Sequence, residues 1–161
     1  MKTIASHLPS QVLTFVRHGA TEPNLAGLRC GGDLDVALSA TGRTQALSAA
    51  KQLRALGWPV GAIVCSDLQR TRETAHIIKD SFPYVDLMIA PGFAERHLGS
   101  WNLLPISQTE DELNAGATPP GGESREAFST ASRLLLRTCC LAFRACRTRL
   151  CWLQAKVLRA F

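Results

Sequence analysis

An apolar run ends in a cation and an imidazole in the stretch Val12-Leu-Thr-Phe-Val-Arg-His-Gly19. Its β-branched and aromatic residues predict a buried strand, and the glycine at its end predicts a loop that presents the two polar side chains. Two further apolar runs of this kind follow, at Ala62–Cys65 and at Val85–Ile89. The sequence therefore predicts three short buried strands, each followed by a loop.

Helical periodicity occupies the intervals between these strands. Ser39 caps a first helix, since apolar residues follow it at helical spacing as far as Gly57. A second helix holds Arg70, and Ser66 and Asp67 are expected to cap it. Strands that alternate with helices predict an α/β domain with a mostly parallel sheet flanked by helices.

The rest of the chain has weaker patterns. Residues Thr21 to Leu38 are rich in Gly and Asp and predict an irregular loop, and the polar segment from Glu95 to Glu123 has little periodicity. A helix is expected from Glu123 through Phe128. Beyond Ala131 we predict no further strand, and the spacing of the Arg residues there is compatible with an amphipathic helix.

Length and composition favour one cytoplasmic domain. The chain has 161 residues, 46% of them apolar, which suits a single soluble globular unit. Residues 1–10 lack the apolar run of a secretory signal, and no stretch approaches the roughly 20 apolar residues that span a bilayer. Cytosolic cysteines are usually reduced, so we do not predict disulfides.

The net charge of +5 belongs to the C-terminal segment, residues 131–161, which we call the tail. The tail carries seven basic and no acidic residues, whereas the first 130 residues carry 11 basic and 13 acidic ones. Four of the six cysteines also lie in the tail: Cys139, Cys140, Cys146 and Cys151. Their spacing lacks the paired pattern of a zinc site.

Three strand ends bring together the groups that a phosphomonoester site needs. Fixed cations must surround the transferred phosphoryl group, and Arg17 and Arg70 are candidates. His18 can act as a nucleophile without a metal, and Glu95 follows the third strand as a candidate acid for the leaving alkoxide. Each residue alone is a weak signal, because an isolated His, Arg or Glu is more often structural or solvated.

Four blocks of this chain resemble the histidine phosphatase (phosphoglycerate mutase-like) superfamily, over roughly residues 11 to 130. The first block is Val16-Arg-His-Gly-Ala-Thr-Glu-Pro-Asn24, which continues through Gly31-Gly-Asp33, Ala37-Leu-Ser39 and Gly42-Arg-Thr-Gln-Ala46. The other three are Ser66-Asp-Leu-Gln-Arg-Thr-Arg-Glu-Thr-Ala75, Ala94-Glu-Arg-His-Leu-Gly-Ser-Trp101 and Pro120-Gly-Gly-Glu-Ser124. The resemblance implies that His18 is the phosphorylated nucleophile and that Arg17 and Arg70 hold the phosphoryl oxygens. It also implies that Glu95 is the proton donor.

The same resemblance implies that Thr21 and Asn24 contact phosphate or substrate; ordinary turn roles are the alternative for both. It further implies a phosphatase that acts on a small phosphorylated substrate with no metal and no other cofactor. Phosphoglycerate mutase-type transfer is an alternative, although the segment between Glu95 and Glu123 is short for a mutase lid.

The chain departs from the family pattern at its C-terminus. Family members carry a second catalytic histidine after a late apolar strand, which lies beside the first strand. The four histidines here are His7, His18, His76 and His97, so none follows Glu123. We expect His76 to be a surface or packing residue, and His97 could approach the pocket. The resemblance therefore implies a domain at residues 11–130 that is incomplete at the C-terminus.

Three interpretations of the tail remain open at this point. It could be a basic helix that binds membrane or nucleic acid, a solvated helix face, or a segment that is truncated or frameshifted and not native to the domain. We favour the third and expect neither a nucleic-acid nor a membrane partner. The predicted function is then a phosphatase impaired by the lack of the second histidine. A non-catalytic phosphate-binding remnant is the competing hypothesis.

Overall fold

A computed structural model describes residues 13–142 and 149–154. The strands are β1 (Leu13–Arg17), β2 (Val60–Cys65), β3 (Asp86–Ile89) and β4 (Arg149–Gln154). The helices are α1 (Glu22–Leu25), α2 (Ala40–Ala55), α3 (Gln69–Asp80), α4 (Ile106–Asn114) and α5 (Arg125–Ala142). Two 3₁₀ turns, Pro91–Phe93 and Gly99–Trp101, connect β3 to α4.

The strands form one sheet in the order β1-β4-β2-β3, and every neighbouring pair is parallel. Parallel neighbours bring the carboxyl ends of the strands to a single edge of the sheet. The loops that follow β1, β2 and β3 therefore meet at that edge. The predicted α/β domain with a mostly parallel sheet and flanking helices is confirmed.

The two faces of β2 build two halves of the core, as the two-residue period of a strand requires. Ile63 and Cys65 pack on one face against buried residues of α2 and α3: Ala50, Ala75 and Ile78. Ala62 and Val64 pack on the other face with Phe93 and with Leu135 and Leu136 of α5. Helices thus cover both faces of the sheet.

The two predicted helix starts have different outcomes. Ser39 does cap α2, because its hydroxyl accepts the Gly42 N–H at 3.0 Å. The prediction that Ser66 and Asp67 cap α3 is wrong, since Leu68 stands at the cap position. The Gln69 N–H is instead bound at 2.7 Å by the carboxylate of Asp35, which belongs to a distant loop.

Two segments are more regular than their composition indicates. The predicted loop between Thr21 and Leu38 contains α1, and the polar segment after Glu95 contains the two 3₁₀ turns and α4. Buried Arg29 explains part of this order, because its Nε donates to Thr109 Oγ1 of α4 at 2.9 Å. The helix expected from Glu123 to Phe128 is the first part of the 18-residue α5, which runs through residue 131 without a break.

The prediction that no strand follows Ala131 is wrong. β4 lies between β1 and β2, and its residues pair in register with both, as in Phe15 with Trp152 and Val64 with Trp152. The run Leu-Cys-Trp-Leu at residues 150–153 has β-forming side chains, which the many arginines around it obscure. β4 occupies the place beside the first strand where the family resemblance expects a late strand.

Part of the tail lies outside the described residues. Cys146 and four of the seven basic tail residues (Arg144, Arg147, Lys156 and Arg159) belong to that part, so the interpretations that rest on them stay predictions. Over residues 13–142 and 149–154, the structure has no helix that is both long enough and apolar enough to cross a membrane.

Candidate active site

His18 follows β1 directly and is buried, with 7% of its surface exposed. Its Nδ1 lies 2.6 Å from the carbonyl oxygen of Gly19. Since a carbonyl oxygen can only accept, Nδ1 must carry the proton in this contact. The neutral imidazole therefore keeps its lone pair on Nε2, where a nucleophile needs it.

The surroundings of His18 favour the neutral ring. Burial is the main cause that lowers its pKa to about 4, and the Gly19 carbonyl opposes this shift. The positive charges of Arg70 and Arg17 lower the pKa further, because a third positive charge near these two is unfavourable. At neutral pH the imidazole is therefore uncharged.

Tight backbone packing holds the loop that carries His18. A Cβ on Gly19 would collide with the Gly42 carbonyl at the start of α2, so the loop approaches α2 as only glycine permits. The Gly19 N–H donates to Thr74 Oγ1 at 3.2 Å. Ser39 Oγ donates to the Ala20 carbonyl at 2.8 Å. His18 is therefore positioned by both α2 and α3.

Arg70 is completely buried at the second position of α3. Its Nη1 donates to the Leu34 carbonyl at 2.8 Å and its Nη2 to the Gly31 carbonyl at 3.0 Å. Its Nε, also buried, has no hydrogen-bond partner among the described residues. A buried guanidinium with donors left over suits an anion, whose oxygens would complete the hydrogen bonding. The second predicted cation, Arg17, is exposed at the end of β1 and acts on His18 through its charge.

Glu95 is partly buried in the turn after the first 3₁₀ segment. A Cβ on Gly32 would collide with the Glu95 carbonyl, so the loop after α1 lies directly against the backbone of the predicted acid. The charges of Glu95 and of Arg70 both act on the thiol of Cys30. The structure thus brings Glu95, Arg70 and His18 to one edge of the sheet.

Cys30 is a residue of this site that sequence reasoning missed. It is partly buried, and desolvation raises its pKa, while the Arg70 charge and a hydrogen bond with the Thr21 side chain act the other way. It stands directly before the Gly31-Gly-Asp33 motif, but its residue type carries no signal for a phosphate site. Only the loop path places it between Thr21 and Arg70.

Thr21 and Asn24 bind each other in the structure. Thr21 is fully buried, its N–H donates to Asn24 Oδ1 at 3.2 Å, and the Asn24 N–H donates to Thr21 Oγ1 at 3.3 Å. This reciprocal pair is a capping box for α1. Their contact with phosphate or substrate stays a prediction.

The two described histidines other than His18, namely His76 and His97, are both exposed. His76 is exposed on α3, where its Nδ1 lies 2.7 Å from the Arg72 carbonyl, as expected for a surface residue. His97 is exposed and lies beside Gly32. In β4, the residue in register with Arg17 is Gln154. Over the described ranges, no cluster of three His, Cys, Asp or Glu side chains could hold a metal ion.

Known proteins resemble this chain in both sequence and structure. It is 33% identical over 135 residues to fructose-2,6-bisphosphatase TIGAR B of Danio rerio, a match over 78% of this chain and 52% of that protein. It is 34% identical over 140 residues to the probable phosphoglycerate mutase GpmB of Enterobacter sp., covering 78% of this chain and 61% of that protein. The chain therefore spans about half to three fifths of the length of these relatives.

A solved structure shows the same fold. The mycobacterial glucosyl-3-phosphoglycerate phosphatase in complex with VO3 superimposes with a TM-score of 0.74 at 30% sequence identity, covering 90% of this chain and 76% of that one. The sequence profile of the histidine phosphatase superfamily (branch 1) matches residues 13–140, which hold His18, Arg70 and Glu95. With the profile match covering most of the chain and the buried imidazole lying beside a buried arginine, this chain belongs to branch 1 of the histidine phosphatase superfamily.

Proposed function

We propose that this chain is a phosphatase that hydrolyses a small phosphomonoester through a phosphohistidine at His18. One observation carries the proposal: a buried, neutral imidazole with its proton on Nδ1 lies where the charges of Arg17 and Arg70 act on it. These features are what in-line attack on a phosphoryl group requires, namely a free lone pair and fixed cations for the phosphoryl oxygens.

The proposed reaction has two displacements. In the first, His18 Nε2 forms a bond to phosphorus while the bond from phosphorus to the ester oxygen breaks, and the Glu95 carboxyl gives its proton to the departing alkoxide. In the second, water attacks phosphorus, the phosphorus–nitrogen bond breaks, and the Glu95 carboxylate takes up the proton of the water. Inorganic phosphate leaves and both residues return to their starting states.

Hydrolysis is favoured over transfer between two hydroxyl groups. The segment from Glu95 to Glu123 is short and is tied down by Arg96, which donates to the Glu123 carbonyl at 2.7 Å and to the Ala117 carbonyl at 3.0 Å. A segment fixed in this way is poorly suited to retain a product hydroxyl for retransfer. The relatives include both phosphatases and a probable mutase, so mutase-type transfer is the alternative within the family.

We further propose that the activity is impaired. The second histidine of the family has no counterpart in β4, where Gln154 stands beside Arg17. The loss of one donor to a developing oxyanion lowers turnover by about 10²–10³-fold. The same observation favours a second candidate function, a non-catalytic domain that retains the anion site around Arg70.

Trapping of the intermediate tests both candidates. Wild-type protein mixed with an aryl phosphate and quenched with base should carry an acid-labile phosphate. His18→Ala should carry none and should lose nearly all turnover. His76→Ala is the matched control, since it removes an exposed imidazole from α3. If His18→Ala turns over substrate as fast as wild type, His18 is not the nucleophile. If wild type binds phosphate tightly but has no turnover, the non-catalytic function is established.

We also propose where the native part of the chain ends. α5 continues to Ala142 and the family profile reaches residue 140, so we propose that the non-native continuation begins after about residue 140 rather than at Ala131. The coding DNA downstream of that point, read in three frames, tests this. We expect a shifted frame to encode an apolar strand followed by a His-Gly turn. If no frame encodes one, the tail is genuine and the non-catalytic function is the better interpretation.

We propose a cytoplasmic protein whose partner is a small phosphorylated metabolite, with no nucleic acid and no membrane partner. Two observations support the choice of partner: the guanidinium of Arg70 is buried at the proposed anion site, and the relatives are phosphatases and a probable mutase of small phosphorylated compounds.

A further inference from the structure

The loop Gly31–Asp35 lies between the cation and the acid of the proposed site. On one side, its Gly31 and Leu34 carbonyls accept the two Nη donors of Arg70, at 3.0 and 2.8 Å. Asp35 binds the Gln69 N–H at 2.7 Å, directly before Arg70 in α3. This side of the loop sets the position of the buried guanidinium.

The other side of the same loop contacts the turn that carries Glu95. The Gly32 N–H donates to the Arg96 carbonyl at 2.9 Å, and the Gly32 Cα lies against the Glu95 carbonyl with no room for a Cβ. These contacts fix the backbone of the acid relative to the loop. A further group, next to Gly32, adds side-chain hydrogen bonds to these backbone contacts.

Asp33 supplies that group. Its carboxylate accepts the Leu98 N–H at 2.9 Å, the Gly99 N–H at 2.8 Å and the Asn102 Nδ2 donor at 2.8 Å. Partial burial raises its pKa, but the hydrogen bonds from Asn102, Leu98 and Gly99 outweigh this and hold the pKa below its ordinary value. The carboxylate is therefore ionised at neutral pH and bridges the two loops.

We propose that Asp33 is a positioning residue, which holds the Glu95 turn against the loop Gly31–Asp35 that binds the Arg70 guanidinium, so that acid and cation stay at a fixed separation. The proposal rests on the phosphatase function proposed above. Asp33 is exposed and forms its bonds to backbone and to Asn102, so it acts through Glu95 and not on the substrate. Its loss should affect the proton transfer to the leaving group far more than the binding of phosphate.

The response to the leaving group of the substrate distinguishes a positioning role of Asp33 from a purely structural one. An alkyl phosphate needs the Glu95 proton in the first displacement, whereas an aryl phosphate with an acidic phenol leaves without it. A variant that only lowers the folded fraction would reduce turnover of both substrates by the same factor. A misplaced acid would reduce turnover of the alkyl substrate alone.

Asp33→Asn is the variant that tests this. It keeps the side-chain shape but turns an N–H toward at least one of the three donors. We expect alkyl phosphate turnover to fall about tenfold, with aryl phosphate turnover and inhibition by inorganic phosphate within about twofold of wild type. Asp80→Asn, which removes an exposed carboxylate at the end of α3, is the matched control and should leave the ratio of the two rates unchanged.

A double variant identifies the group through which Asp33 acts. If Asp33 works by positioning Glu95, Asp33→Asn should add no further loss to Glu95→Gln on the alkyl substrate. Full additivity, or equal losses on the two substrates in the single variant, overturns the proposal.

A second measurement keeps the proposal separate from the proposed function. If wild type forms no phosphohistidine and has no turnover, the phosphatase function fails, and amide hydrogen exchange then decides the role of Asp33. Faster exchange at the Leu98 and Gly99 amides in Asp33→Asn, with unchanged exchange in the central strand β2, supports the positioning contact. Unchanged exchange at both amides overturns it.

Discussion

The ends of β1 and β4 lie side by side in the sheet and differ in chemistry. Arg17 and Gln154 are register partners in the parallel ladder that joins the two strands. β1 leads into His18, a buried imidazole held through Gly19 and neutralised by burial. β4 ends in Gln154, and no histidine follows anywhere in the chain. Two strands with equivalent backbone positions thus end in different kinds of residue.

The difference shows which parts of this fold depend on residue identity. A parallel ladder uses backbone N–H and C=O groups, so any run with adequate β propensity can fill the slot between β1 and β2. A phosphoryl site requires particular side chains beyond the strand ends, because only charge and a lone pair stabilise the reacting group. We therefore expect the β1 end to control chemistry and the β4 strand to control stability.

The largest expected effect is at the acid. Glu95→Gln should slow alkyl phosphate hydrolysis by about 10²–10⁴-fold and hydrolysis of aryl phosphates with good leaving groups far less. Steady-state kinetics with matched alkyl and aryl substrates measures the difference. Glu110→Gln, which neutralises an exposed carboxylate on α4, is the control. Equal losses on both substrates would show that Glu95 binds or supports the fold, and that the chemistry lies elsewhere.

The second largest effect is on stability and tests whether β4 is a strand of the sheet. Cys151 pairs with Thr14 on one side and with Ile63 on the other, so Cys151→Pro removes an N–H from a central strand. We expect the free energy of unfolding to fall by about 2–4 kcal/mol, since a carbonyl of the neighbouring strand also loses its partner. Urea denaturation measures this against Cys151→Thr, which keeps the N–H. Identical midpoints for the two variants would place β4 outside the sheet and remove one side of the comparison.

The smallest effect is on pH dependence at the β1 end. With a pKa of about 4, most of the His18 imidazole is still neutral at pH 5, whereas an ordinary histidine of pKa about 6.5 is almost fully protonated there. Phosphorylation of His18 by an aryl phosphate should therefore change less than about twofold between pH 7 and pH 5, after correction for protonation of the substrate. Rapid-quench measurement of the phosphohistidine tests this. If the phosphorylation rate falls more than about tenfold, the imidazole is exposed to solvent, and burial does not lower its pKa.

The same shift has a consequence for stability. Because the folded pKa lies below the unfolded one, the folded state favours the neutral ring. As the pH falls from about 6.5 towards 4, His18 becomes protonated in the unfolded chain but stays mostly neutral in the folded chain. The free energy of unfolding therefore decreases over this range. The stabilising contribution is therefore complete above pH 6.5 and lost on the acid side. His18→Ala should remove this part of the acid sensitivity.

The sequence by itself determined the elements whose signals are local. Alternating strands and helices, the Ser39 cap and the placement of Arg17, His18, Arg70 and Glu95 at or after strand ends all follow from patterns within about ten residues. Such patterns reflect burial periodicity and capping chemistry, which neighbouring residues set between themselves. The side chains proposed for catalysis could be chosen on that basis because the strand ends of a parallel sheet meet.

Only the tertiary structure decided the features that join distant segments. Asp35 caps α3 from another loop, and Asp33 bridges to the Glu95 turn across 65 residues of sequence. β4 pairs with β1 on one side and with β2 on the other, through backbone groups of both strands. The space between those two strands exists only in the folded sheet, and no single segment of sequence displays it. The low pKa of His18 depends on burial and on Arg70, a contact that forms only when β1 and α3 come together. Interactions of this kind depend on three-dimensional proximity, and local sequence patterns do not encode that proximity.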